Sequence, residues 1–200
     1  YDLLTGEERA SQVVLKTEFK NVDLIPSSID LAAAEIELVE LEERTLRLRQ
    51  ALAPIRDDYD YILIDCPPSM GLVTLNAFSA CDSVLVPIQC EYYALEGLSQ
   101  LMATIKQVKR LYNPVVDLEG ILLTMYDGRL KLTEQVEAEV REHFPDKVYK
   151  TVIPRNVRLS ESPSFGMPAI YFDRNSRGAK AYLELCKEFL KKKSRKKQEV

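Results

Sequence analysis

Residues 59–69 read YDYILIDCPPS. Tyr61, Ile62, Leu63 and Ile64 make an apolar run that ends on Asp65, and Pro67 and Pro68 then bar a strand from continuing, because proline has no N–H to give to a ladder. In open parallel sheets, ligands bind in the crevice beyond the carboxyl ends of the strands. A carboxylate placed there, as Asp65 is, can hold a magnesium ion, directly or through water, beside a phosphate. A turn or helix-capping role before the two prolines is the alternative for Asp65.

Outward from this stretch, apolar runs alternate with helical patterns. NVDLIPSS (21–28) reads as a short strand, and the Ala-, Glu- and Leu-rich residues 29–52 read as a helix. Residues 70–80 make a short helix, SVLVPIQ (83–89) a strand, and 91–112 a long helix with Leu95, Leu98, Met102, Ile105, Val108 and Leu111 at steps of three and four. LEGILLTMYD (118–127) is a strand, 132–144 a helix with an apolar face at Leu132, Val136, Val140 and Phe144, KVYKTVIP (147–154) a strand, and 177–193 a closing helix. The strands are continuous apolar runs, as a parallel sheet buried on both faces requires. The fold class is therefore α/β, a doubly wound, mainly parallel sheet flanked by helices, in one domain over residues 1–190 with a basic tail at 191–200.

Composition narrows the function. With 46% hydrophobic and 29% charged residues the chain is of the soluble globular class, and no stretch approaches the roughly 18 apolar residues of a membrane span. Cys66, Cys81, Cys90 and Cys186 have no metal-ligand spacing and read as reduced thiols of a cytoplasmic protein. The net charge of −4 hides an asymmetry, because KKKSRKK (191–197) holds six Lys or Arg and no acid while residues 1–190 carry a net −9. So acidic a body argues against a globally basic nucleic-acid binder and leaves room for a local patch. The single histidine, His143, has no nucleophile pattern beside it, so a Ser/His/Asp hydrolase is not supported.

Three long segments carry a resemblance. DYDYILIDCPPSMGLVTLNAFSACDSVLVPIQCEYYALEGLSQL (58–101), GILLTMYDGR (120–129) and TVIPRNVRLSESPSFGMPAIYFD (151–173) closely resemble the ParA/Soj family of chromosome- and plasmid-partitioning ATPases, relatives of MinD in the deviant Walker A group. The resemblance runs almost continuously from residue 1 to about 189. It implies a P-loop NTPase-like fold, ATP/ADP with Mg, a homodimer formed on ATP binding, non-specific DNA, a ParB-type partner that stimulates hydrolysis, and a cytoplasmic, nucleoid-associated location. By this likeness Asp65 matches the Walker B aspartate that manages Mg, residues 66–71, with Pro67, match the switch segment, and Met125, Pro154 and Asn156 line the adenine pocket. Glu91 matches a segment near the nucleotide and dimer interface. Arg129 and Arg158 match DNA contacts, with Lys131, Arg155 and Arg174 widening the patch.

One departure stands at the front. A phosphate-cradling loop needs closely spaced glycines followed by Lys and Ser/Thr, and among the seven glycines here no two lie within five residues of each other and no such triplet occurs. The expectation is a chain without the Walker A loop and the family's first two strands, most simply a piece of a longer protein, inactive alone and binding no nucleotide tightly. Two other functions stay open. A MinD-like membrane-cycling ATPase would use the stripe Ala179, Tyr182, Leu183, Cys186, Phe189 and Leu190 with the basic run after it; a non-enzymatic interaction module would dimerise with a full-length relative.

Overall fold

A computed structural model describes residues 1–67 and 69–198, so Pro68 of the switch segment and the end of the basic tail lie outside the described residues. The chain forms two compact units, one of Tyr1–Val84 with Thr104–Asp117, the other of Leu85–Ala103 with Leu118–Val200.

The first unit is almost wholly helical. Two short helices, α1 (Asp2–Thr5) and α2 (Ala10–Val13), precede a small antiparallel ribbon of β1 (Leu15–Lys16) and β2 (Asp23–Leu24). The strand expected at 21–28 is reduced to this pair. The helix expected over 29–52 is broken into α3 (Leu31–Glu37), a 3-10 turn at Leu38–Glu40 and α4 (Arg47–Leu52). The break has a packing cause. Leu38 is fully buried with Leu4 and Ala34, and the chain must double back, through Glu43 in the left-handed region at φ 50°, to bring Leu48 onto the same cluster. A second cluster gathers Leu3, Ala10, Leu52 and Ile55, with Ile64 packed against it.

Helix α5 (Leu72–Ala80) forms where expected. Its buried Asn76 donates to the carbonyls of Arg44 (2.7 Å) and Leu72 (2.9 Å) and accepts from the Leu48 N–H (3.1 Å), which ties α4 to α5 with every amide atom used. The first N–H groups of α5 have no partner within their own helix and go to Glu35, at 2.6 Å from Leu72 N and 3.1 Å from Val73 N. Gly71 stands before them because a Cβ there would collide with the Glu35 carboxylate.

The apolar run 61–64 is not a strand. Residues 61–67 take part in no β-bridge among the described residues, and Leu63 is 88% exposed. A strand is defined by a neighbour that takes its N–H and C=O groups, and the sequence pattern speaks only for side chains.

The second unit centres on β4 (Asp117–Thr124), which pairs with β3 (Ser83–Gln89), the strand expected at 83–89. Every residue from 118 to 123 is buried. The strand expected at 147–154 lies beside β4 but forms isolated parallel bridges in place of a continuous ladder, Ile121 of β4 with Val148, and Tyr126 just past β4 with Pro154. The hydrogen bonds show why. Tyr149 N donates to Ile121 O and Ile153 N to Leu123 O, so four residues on one side span two on the other, and 150–152 bulge out. Glu188 receives the displaced groups, at 2.8 Å from Lys150 N and 2.9 Å from Thr151 N, and also takes the Thr151 hydroxyl at 2.8 Å.

Helices α6 (Ala94–Leu111), α7 (Lys131–His143), α8 (Val157–Glu161), α9 (Ala169–Phe172) and α10 (Arg177–Gln198) complete the chain. The apolar stripe expected along α10 is split. Ala179 is fully buried, Leu183 is half-buried and Phe189 packs, with Leu185 beside the stripe, on the cluster of Leu122, Tyr149 and Ile153, while Tyr182, Cys186 and Leu190 are exposed. Lys193 reaches the buried Glu119 at 2.7 Å, fixing the start of the basic run to β4. Among the described residues no helix is long and apolar enough to cross a membrane. Helix dominates over sheet here, a correction to the sheet-centred architecture expected from the strand-like runs.

Tyr149 sets the tolerance of this core. Its ring is fully buried, with Lys192 Nζ 4.0 Å from the ring centroid, and it covers Gly120 so closely that a Cβ there would lie 2.5 Å from Tyr149 Cε2 and 2.9 Å from the Lys147 carbonyl. The ring is held on all sides and the carbonyl is backbone, so neither yields cheaply. Gly120→Ala is expected to destabilise the protein by about 1–3 kcal/mol, read as a lowered urea midpoint.

Candidate functional site

In the second unit, the two ends of the bulged ladder open a cleft of about 410 Å3 lined by Gln89, Glu91, Met125, Asp127, Arg129 and Arg155, among others. Its floor is the turn after β4. Ile153 gives its N–H to Leu123 O and takes the Tyr126 N–H on its own carbonyl at 3.0 Å; a regular parallel ladder would use Met125. Met125 is thus an extra residue, and it sits at φ 51°, a left-handed conformation that costs a non-glycine residue energy. The turn is locked on its far side. The Tyr126 hydroxyl donates to Glu137 on α7 at 2.6 Å, and Arg141 Nε holds the other oxygen of Glu137 at 2.8 Å while its Nη2 reaches Tyr149 O at 3.2 Å. Burial pushes the Glu137 carboxyl up, but the bonds from Tyr126 and Arg141 outweigh it and the net shift is downward. The Tyr126 phenol is pushed up to about 12, first by its bond to Glu137.

Glu91, Met125 and Arg129, singled out from the sequence, are brought together in this cleft, as is Arg155. Pro154 and Asn156 flank Arg155; Pro154 bridges to Tyr126, and Asn156 caps α8 by accepting the Arg158 N–H at 3.0 Å. Asp65 and Pro67 belong to the other unit, both exposed. Between them the half-buried Cys66 thiol is pushed up by burial and then by the Asp65 charge. The loop they sit on is fixed at its far end by the Glu35 bonds and by Thr74 Oγ1 donating to Ser69 O at 2.7 Å.

The two arginines are held by carboxylates. Asp127 binds Arg129 through Nε (2.8 Å), Nη2 (2.6 Å) and the backbone N–H (3.1 Å), and these bonds hold its carboxyl down at about 2. Arg158 pairs with Glu161 at 2.8 Å and Asp173 at 3.4 Å, with its guanidinium carbon 5.9 Å from the Phe172 ring centroid. Lys131 and Arg174 are exposed. The sequence reading missed Asp127, Tyr126, Glu137 and Glu35. Only Asp127 left a trace in the sequence, an acid two residues before an arginine across a glycine.

A family model described as an AAA domain matches residues 1–118. The sporulation initiation inhibitor protein Soj of Bacillus subtilis is 55% identical over 188 residues, 94% of this chain and 74% of that protein. The chromosome partitioning protein ParA of Myxococcus xanthus is 51% identical over 192 residues, 96% of this chain and 68% of that protein. The chain belongs to the ParA/Soj family of partitioning ATPases. Among solved structures, cobyrinic acid a,c-diamide synthase from Mycobacterium smegmatis, with bound ADP and magnesium, superposes with a TM-score of 0.76 at 36% identity, covering 92% of this chain and 67% of that one. The fold class is that of the P-loop NTPases, as the resemblance implied.

The domain match corrects three expectations. A match over residues 1–118 argues against a missing Walker A segment, against a chain inactive alone, and against a chain that binds no nucleotide tightly. Those expectations hung on the spacing of the glycines and on one Gly-Lys-Ser/Thr triplet. A nucleotide-binding domain is a whole pattern of elements, and main-chain N–H groups can meet an anion wherever a turn or helix start presents them.

The Tyr126–Glu137 bond sets a test of the cleft's frame. A phenol whose folded value lies above its ordinary 10 keeps its proton longer when folded, so the bond stabilises fully below about pH 10 and is lost as pH rises toward about 12. Glu137→Gln removes the charge and is expected to bring Tyr126 back toward its ordinary value, seen as one tyrosine moving earlier in a tyrosinate absorbance titration.

Proposed function

We propose that the chain is a chromosome or plasmid partitioning ATPase of the ParA/Soj type, built on a doubly wound parallel sheet, that binds ATP with magnesium, dimerises on ATP, binds DNA without sequence preference and answers to a ParB-type partner. The observation that carries this reading is the cleft: Glu91 and Met125 meet in it and Pro154 and Asn156 flank it, the residues that the family likeness assigns to the nucleotide's base and its surroundings. The bound ADP and magnesium of the Mycobacterium smegmatis structure support the ligand class. Identity to Soj and ParA, above 50%, favours partitioning over that structure's amide synthesis, at 36%.

Asp65 is the magnesium residue in this reading. Among the described residues no group of three or more His, Cys, Asp or Glu can hold a metal ion. That suits magnesium, which keeps several waters and binds through one or two carboxylates plus the substrate's phosphates. The ion would neutralise charge developing on the phosphates. Asp65 would hold it through an exposed oxygen, and Glu35 would steady the loop that carries Asp65. Arg129 and Arg158 would meet DNA phosphates without reading bases.

A fluorescent ATP analogue titrated with and without magnesium tests this reading. Saturable, magnesium-dependent binding is expected, with Asp65→Ala weakening the magnesium-dependent part at least tenfold. Arg158→Glu should weaken binding to a random-sequence duplex and leave ATP binding within about twofold. A parallel loss of both would contradict the division of roles.

A further inference from the structure

The Arg129 side chain is 88% exposed, yet its guanidinium is already occupied: Nε and Nη2 lie 2.8 and 2.6 Å from the two oxygens of Asp127. Two parallel N–H bonds to two oxygens of one group is the geometry in which a guanidinium takes a phosphate. A carboxylate of the same chain therefore fills the place a phosphate would take. Asp127 is well seated for this, only 20% exposed and fixed by the Arg129 N–H at 3.1 Å. We propose that Asp127 sets the affinity of this surface for polyanions, holding Arg129 in a closed fork that a DNA phosphate must open before Arg129 can contact it.

The inference rests on reading Arg129 as a DNA contact and adds what controls that contact. Arg158 differs. It is shared between Glu161 on its own helix and Asp173, and lies beside the Phe172 ring, so no single substitution releases it. Among the described residues Arg129 has one carboxylate partner, and its approach is open. Opening the fork also leaves Asp127 charged beside the incoming phosphate, which opposes binding a second time. Exposed pairs are weak, so the effect is one of tuning and not of an on-off switch.

The test is fluorescence anisotropy of a labelled random-sequence duplex with the full chain, ATP and magnesium present. Asp127→Asn keeps an oxygen for the Arg129 N–H and so preserves the turn, while weakening the hold on the guanidinium. It is expected to tighten DNA binding about twofold to fivefold. In an Arg129→Gln background the same change should alter binding less than about 1.5-fold, because the fork is gone. No gain from Asp127→Asn, including no binding by either protein, overturns the proposal. A gain of equal size with and without Arg129 also overturns it, since Asp127 would then act by plain repulsion. If Arg129→Gln alone leaves DNA binding unchanged, the reading of Arg129 as a contact falls separately.

Discussion

The burial of residues 118–123 of β4 is the constraint on which the second unit depends. A strand out of water on both faces must have its N–H and C=O groups bonded along its edges, and its side chains packed above and below. The run includes Glu119, whose charge is met by Lys193 of α10, and Gly120, which leaves room for the ring of Tyr149. The neighbouring segment cannot follow β4 in a single register, because residues 150–152 stand opposite Leu122 alone, two residues in excess between the bonds at Tyr149 and Ile153. The mismatch is partly repaid after β4, where Met125 is the extra residue on the other side. The cleft lies where the register is restored. Its left-handed Met125 and its locked Tyr126 follow from how two unequal segments are made to lie together.

Elements whose side-chain period determines their partner were legible in the sequence. Strand β3 falls at the expected residues 83–89, as a continuous apolar run, α5 lies within the expected 70–80, and α6 and α7 agree to within a few residues because steps of three and four fix which face is buried. What was not legible depends on something other than period. Residues 61–64 have the side chains of a buried strand without the ladder. Residues 29–52 have a helical composition throughout, but Leu38 and Leu48 must reach one cluster, and a single straight helix cannot bring both there. Residues 147–154 carry a bulge that no residue type announces.

The site divides the same way. Glu91, Met125, Pro154 and Asn156 lie in segments long and specific enough for a family likeness to single them out, and the structure brings them to or beside one cleft. Their supports were hidden. Glu35 acts on main-chain groups 37 and 38 residues away, and Glu137 receives Tyr126 from 11 residues back, so neither spacing belongs to any short motif. The partners of the two arginines were hidden as well: each is met by carboxylates close to it in sequence or in space.

The bulge at 150–152 has a further consequence for how this protein behaves among its copies. An unpaired strand edge offers N–H and C=O groups in a row, a template on which another chain can add itself. Here the row is interrupted, and the two N–H groups turned out of it, of Lys150 and Thr151, are taken by one carboxylate of α10. Glu188 thus occupies the position where a foreign strand would bring its carbonyls. The helix that packs the core thus also covers the edge, leaving these two donors satisfied within the chain.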